Sequence, residues 1–194
     1  MRGLVASKRI MKSNLTILGI CGSLRKGSFN RLTLQAAQKL VPPDAKIEIF
    51  ELHGIPVFNQ DDEMNPPAAV KEFKQRIRAA DAILFSTPEY NYSIPGVLKN
   101  AIDWASRPYG DSAWNGKPAA VMSAAGGIFG GIRAQYALRQ TFVFLNMHAL
   151  TLPEFALGKA SDKFDANGNL IDEASKKLLS QMLQNLVEWT RRVA

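Results

Sequence analysis

Several kinds of residue are scarce in this chain, and each scarcity removes a class of function. Among 194 residues there is one cysteine, Cys21, so no disulfide can close within the chain and no paired-cysteine redox or zinc motif exists. Cys21 ends an apolar run and reads as a small buried hydrophobe rather than a nucleophile. A single thiol suits a reducing compartment, here expected to be the cytoplasm. The two histidines, His53 and His148, have no partner at metal-ligand spacing, so both are read as structural and no metal site is expected. No stretch of about 18 apolar residues occurs, so no membrane partner is expected.

Acidic residues are the minority, 17 against 24 Lys and Arg, for a formal charge of +7. That balance invites a nucleic-acid partner, but four of the seven net charges, Arg2, Lys8, Arg9 and Lys12, fall in the first 14 residues, leaving +3 over the rest. Residues 1–13 are read as a flexible basic extension, lacking the apolar core and small-residue cleavage site of a signal peptide. No nucleic-acid partner is expected. Residues 14–194, with 46% hydrophobic and 21% charged residues over the whole chain, fit one domain with its own core.

What is present is an alternation of short apolar runs and helical periods. Leu15 to Cys21 is too continuous for a half-exposed strand and too short for a helix, as expected of a parallel strand covered on both faces. A polar loop, Gly22 to Asn30, precedes a helix with Leu32, Ala36, Ala37 and Leu40 on one face, stopped by Pro42-Pro43. Lys46 to Leu52 is a second strand, and the irregular stretch 53–67 a long connection. A helix carrying Val70, Phe73 and Ile77 leads to a third strand, Ala82 to Ser86. After Thr87 to Gly96 come a helix over 97–106 and a fourth strand, Ala119 to Ser123. Four glycines then fall within six residues, Gly126, Gly127, Gly130 and Gly131. A helix through Gln135, Leu138 and Phe142, a fifth strand near Met147 to Leu152 and a final amphipathic helix through Leu179, Met182, Leu183 and Leu186 complete the series. Asp165 to Leu170 has part of a calcium-loop pattern without its later acidic ligand, and is read as a turn.

Strands alternating with helices imply a three-layer α/β/α fold with a five-stranded parallel sheet and right-handed crossovers. The flavodoxin-like order 2-1-3-4-5 would bring the loops after strands one, three and four to one edge, at the switch point where ligands bind. The first loop offers backbone N–H groups at a helix N-terminus, hydroxyls on Ser23 and Ser28, and a guanidinium on Arg25, a set suited to a phosphate. It lacks the Gly-Lys-Ser/Thr of a P-loop and the Gly-x-Gly-x-x-Gly of a dinucleotide fold. The third loop carries Tyr90, Asn91 and Tyr92 between two prolines, and the fourth is glycine-faced, suited to a flat partner. One phosphate end and one flat end describe FMN.

Those loops also carry a family resemblance. Gly22-Ser23-Leu24-Arg25-Lys26-Gly27-Ser28-Phe29-Asn30, Thr87-Pro88-Glu89-Tyr90-Asn91-Tyr92-Ser93-Ile94-Pro95-Gly96 and Leu98-Lys99-Asn100-Ala101-Ile102-Asp103-Trp104 resemble the NADPH-dependent FMN reductases, especially the bacterial chromate and quinone reductases, over about residues 15–192. The resemblance implies that Ser23, Arg25, Ser28 and Asn30 hold the FMN phosphate. It implies that Pro88, Glu89, Tyr90, Asn91 and Ser93 line the isoalloxazine, with Ser123, Gly126 and Gly127 on its other side. It further implies hydride transfer from NADPH or NADH through FMN to quinones, azo dyes, flavins or metal oxyanions such as chromate, by a ping-pong mechanism. A homodimer or homotetramer would use Arg133, Tyr136 and Glu154 at subunit contacts. The glycine loop, Ser123-Ala124-Ala125-Gly126-Gly127, departs from the chromate-reductase pattern and leaves the second substrate open. A flavodoxin-like electron carrier without NAD(P)H activity is the alternative, disfavoured by a chain that is not acidic.

Overall fold

Uninterrupted apolar runs are satisfied only where both faces of a strand are covered, and the computed structural model, which describes residues 14–193, covers them with two helical layers. In order, the elements are β1 (Leu15–Cys21), α1 (Phe29–Leu40), β2 (Ala45–Phe50), α2 (Ala68–Ala79), β3 (Ala82–Ser86), α3 (Gly96–Ala105), β4 (Pro118–Ala124), α4 (Ile132–Leu145), β5 (His148–Ala149), β6 (Phe155–Leu157) and α5 (Glu173–Val193). The expected extension over residues 1–13 lies outside the described residues.

The sheet is parallel, with order β2-β1-β3-β4-β5, and β1 pairs β2 on one side and β3 on the other, with Ile20 opposite Phe50 and Phe85. This is the expected flavodoxin-like order, with its switch point between β1 and β3. The fifth strand differs from the expectation. It is split into β5, which pairs with Pro118 and Ala119, and β6, which pairs with Met122 to Ala124, giving six strands. Leu152 and Pro153 lie in the break, and a proline within a strand supplies no ladder N–H.

Period-two alternation sends β1 and β3 side chains to two separate cores. Ile17 and Leu84 pack with Leu34 of α1 and with Leu179, Met182, Leu183 and Leu186 of α5. Leu18, Ile20, Ile83 and Phe85 pack with Phe73, Leu98, Ile102, Leu138 and Phe142 from α2, α3 and α4. Phe85, Phe73 and Trp114 form one fully buried aromatic group with centroid spacings of 5.8 Å. Burial of each such side chain is worth roughly 1.5–3 kcal/mol.

The long connection 51–67 is fastened to α3. Asn100 accepts from the Phe58 N–H (2.7 Å) and donates to the Pro56 carbonyl (2.8 Å), which also accepts from Trp104 Nε1 (2.8 Å). Two residues of the Leu98 to Trp104 motif therefore shape this loop.

Candidate active site

Most of the buried polar side chains gather where β1, β3 and β4 end: Ser23, Ser28, Asn30, Ser86, Thr87, Ser123 and Gln135 are each 5% exposed or less. Buried polar groups must be paired, so their partners show what each can still offer.

At the start of α1, Ser28 is the N-cap and its Oγ accepts from Arg31 N–H at 3.4 Å. Ser23 Oγ accepts from Arg25 N–H at 3.3 Å. Each hydroxyl uses a lone pair in this way and keeps its own hydrogen to donate. The N–H groups of Phe29 and Asn30, in the first turn of α1, have no intrahelical acceptor, and the helix dipole favours an anion there. Arg25 is exposed; its guanidinium folds onto the Gly27 carbonyl and lies 5.5 Å from the Phe29 ring centroid.

Asn30, expected at the phosphate, is also tied to β4. Its Nδ2 donates to the Ala124 carbonyl and its Oδ1 accepts from the Ala124 N–H, both at 2.9 Å, while Ser86 Oγ donates to its main-chain oxygen at 3.0 Å. The amide thereby imitates a strand partner and sews the start of α1 to the end of β4. One hydrogen of Nδ2 is used in this way and the second is left to donate, as is the main-chain N–H in the first turn of α1. Beside it Cys21 is buried, and burial pushes its thiol above the ordinary value, in keeping with a packing role.

In the loop after β3, Tyr90 and Ser93 exchange two backbone hydrogen bonds of 3.0 Å, and Asn91 and Tyr92 have φ of 51° and 65°. Positive φ at both central residues is the signature of a type I′ two-residue hairpin. Asn tolerates that region, while Tyr is strained there by roughly 1–2 kcal/mol. Pro88 is buried; Tyr90, Asn91 and Ser93 are exposed on the hairpin.

Glu89, expected along a ring, turns instead to α4. Its Oε2 accepts from the N–H groups of Arg133 (3.1 Å) and Ala134 (3.4 Å), and its Oε1 lies 2.5 Å from Arg133 Nε. A carboxylate from β3's loop thus caps a helix that has no cap of its own at Gly131. Arg133, expected at a subunit contact, is engaged within its own chain. The other two residues expected there meet each other: Tyr136 donates to Glu154 Oε2 at 3.3 Å, which raises the phenol's pKa by favouring its protonated form.

The glycine loop divides into two functions. A Cβ at Gly126 or Gly127 would meet nothing within 4 Å, so these form an open ledge. At Gly130, with φ of +62°, a Cβ would stand 2.6 Å from the Ala156 carbonyl carbon, so this glycine lets the loop lie against the β6 segment. Ser123 is fully buried, its Oγ accepting from Gln135 Nε2 at 2.7 Å; the same amide donates to the Phe155 carbonyl at 2.8 Å. Gln135 was not distinguished in the sequence beyond its helical period. Its one signal there is an amide in the apolar stripe of α4.

The donor set at one end, the open ledge at the other and the absorption of the nearby carboxylate by α4 fit a flat molecule ending in a phosphate, and FMN satisfies each requirement. Among the described residues, no group of three or more His, Cys, Asp or Glu is placed to hold a metal ion. The Asp165 to Asn169 stretch is a turn closed by its own carboxylate, which accepts from the N–H groups of Asn167 and Asn169 at 2.9 and 2.8 Å.

Proteins of known activity are similar to this chain over most of its length. An NAD(P)H-dependent FMN reductase of Pseudomonas aeruginosa is 52% identical over 184 residues, covering 94% of this chain and 99% of its own. An NADPH:quinone oxidoreductase of Arabidopsis thaliana is 45% identical over 190 residues, covering 94% and 95%. Among solved structures, the flavoenzyme NAD(P)H:(acceptor) oxidoreductase of Paracoccus denitrificans superposes with a TM-score of 0.86 at 35% identity, covering 92% of this chain and 98% of its own. The flavodoxin, WrbA-like protein of Agrobacterium tumefaciens, at 15% identity and a TM-score of 0.63, shares the fold. The model of the NADPH-dependent FMN reductases matches residues 15–162, and the chain belongs to that family of oxidoreductases.

Proposed function

We propose that the protein is an FMN-dependent NAD(P)H oxidoreductase whose acceptors are quinones and other flat electron acceptors, azo dyes and free flavins included, with metal oxyanions such as chromate as further acceptors. The observation that carries the reading is the pairing of a phosphate cradle at Ser23, Ser28 and the first turn of α1 with the open ledge at Gly126 and Gly127. When bound, FMN supplies the redox chemistry, accepting a hydride from NAD(P)H and returning electrons to the acceptor. Ser23 and Ser28 donate their hydroxyl hydrogens to the phosphate, and Arg25 swings from Gly27 to close over it. Pro88 and the hairpin carrying Tyr90, Asn91 and Ser93 form one wall of the ring slot; Gly126 and Gly127 form the other, resting on the Ser123–Gln135 pair. The N-terminus of α3, capped only by Pro95, points its positive end towards the same edge. A slot open on one side serves donor and acceptor in turn, which is a ping-pong order.

The protein works as a homodimer or homotetramer, with Tyr136 and Glu154 at subunit contacts, since α4 turns Tyr136, Val143 and Phe144 outward, 50%, 86% and 78% exposed. Its compartment is the cytoplasm, in line with an unpaired buried cysteine. No helix among the described residues is long and apolar enough to cross a membrane.

The test is anaerobic titration of the FMN-loaded protein with NADPH and then with a quinone. The visible flavin band should bleach with NADPH and return with the quinone. A yellow protein that NADPH does not bleach would be an electron carrier, and one that stays colourless with FMN would overturn the cofactor. In the same assay Arg25→Ala should raise the FMN dissociation constant roughly ten- to a hundredfold, the loss of charge-assisted hydrogen bonds, with the fold intact by circular dichroism.

A further inference from the structure

The tip of the hairpin is strained, exposed and outside both hydrophobic cores, yet it has a defined neighbour. The Arg133 guanidinium lies 3.8 Å from the centroid of the Tyr92 ring and 5.1 Å from that of Phe129. Tyr92 and Phe129 are 71% and 61% exposed, so apolar burial does not fix them. Arg133 is itself fixed at its other edge, with Nε and Nη2 each 2.5 Å from Glu89 Oε1. One planar cation therefore joins three segments: the base of the hairpin through Glu89, its strained tip through Tyr92, and the glycine loop through Phe129. Only arginine can do this, because the carboxylate takes the fork in its plane while the rings take its faces. Glu89 also balances the cation's charge, so the clamp presents aromatic surface at the mouth of the slot rather than a bare positive charge.

We propose that Arg133 is a positioning residue that sets the separation between the Tyr90–Ser93 hairpin and the Gly126–Gly131 loop, and thereby selects flat acceptors by size. The proposal rests on the redox reading above for its substrate, and on the clamp alone for its structure. It assigns Arg133 to its own subunit's slot rather than to a contact between subunits.

Two measurements test it. Amide hydrogen exchange on the protein without added FMN should show faster exchange at Tyr90 and Ser93 in Arg133→Ala and Arg133→Lys, about tenfold, while the β1 and β3 amides keep wild-type protection. Wild-type exchange at the hairpin in both variants would overturn the clamp, whatever the activity. On FMN-loaded protein, KM for a bulky naphthoquinone relative to 1,4-benzoquinone should change about tenfold in both variants, with kcat changing less. With Arg133 intact, Tyr92→Phe, which keeps a ring beneath the guanidinium, should keep the wild-type ratio, and Tyr92→Ala should shift it as the Arg133 variants do. An unchanged ratio in Arg133→Lys, or a change in sedimentation that accounts for the kinetic effect, would overturn the selective role. If NADPH fails to bleach the wild-type flavin, the redox reading falls, while hydrogen exchange still decides the clamp.

Discussion

Lys74, 4% exposed on the inner side of α2, reaches out to the loop before β4 and holds Asp111 Oδ2 at 2.9 Å together with the Arg107 carbonyl. Arg78 takes the other oxygen of Asp111 at 2.6 Å. Lys74 first and Arg78 second hold the Asp111 carboxyl below its ordinary 3.8. A carboxyl whose folded pKa is depressed stabilises above its unfolded pKa, and that contribution is lost as pH falls through the folded value. Asp111→Asn should therefore lower the urea midpoint at neutral pH and narrow the gap to wild type below pH 3.8; a gap that stays constant across that range would exclude the coupling. Gln135→Ala should lose about 1–3 kcal/mol in the same experiment, because Ser123 Oγ and the Phe155 carbonyl lose a donor in a dry site. Asn30→Ala removes both bonds to Ala124 and should cost a similar amount.

At the scale of elements, the two halves of the glycine loop respond differently to a methyl group. Gly130→Ala would force a Cβ against the Ala156 backbone at positive φ and should destabilise the protein by about 1–3 kcal/mol in thermal melts. Gly127→Ala meets open space; its melting temperature should stay close to wild type while FMN binding weakens. Element order, strand order and the position of the three loops were legible in the sequence, because continuous apolar runs such as Leu15 to Cys21 and periodic stretches such as Leu179 to Leu186 carry one reading each. The break between β5 and β6 was not, since Met147 to Leu152 is apolar throughout and only the pairing with β4 distinguishes its two ends. At the site, that Ser23 and Ser28 stand in the loop after β1, and Gly126 and Gly127 in the loop after β4, was legible from residue type and loop position. The directions of Asn30 and Glu89 were not, because each meets a partner far along the chain, Ala124 and Arg133, and residue type alone does not tell a ligand donor from a tertiary fastener. Gln135 was hidden for the same reason.

At the scale of the molecule, α4 exposes an apolar face, and sedimentation velocity should show an assembly larger than the monomer that Phe144→Lys shifts toward monomer. The split strand bears on how such an assembly can form. An edge with a continuous ladder of free N–H and C=O groups invites another sheet to extend it. Here one margin is made of β5 and β6, two and three residues long, with the turn at Leu152 and Pro153 between them. The opposite margin, β2, carries Lys46 and Glu48, with Arg76 reaching across to Glu48 at 2.9 Å. Neither margin offers a template, so contacts between copies of this chain fall to helices and loops, and a sheet running on from one subunit into the next is disfavoured.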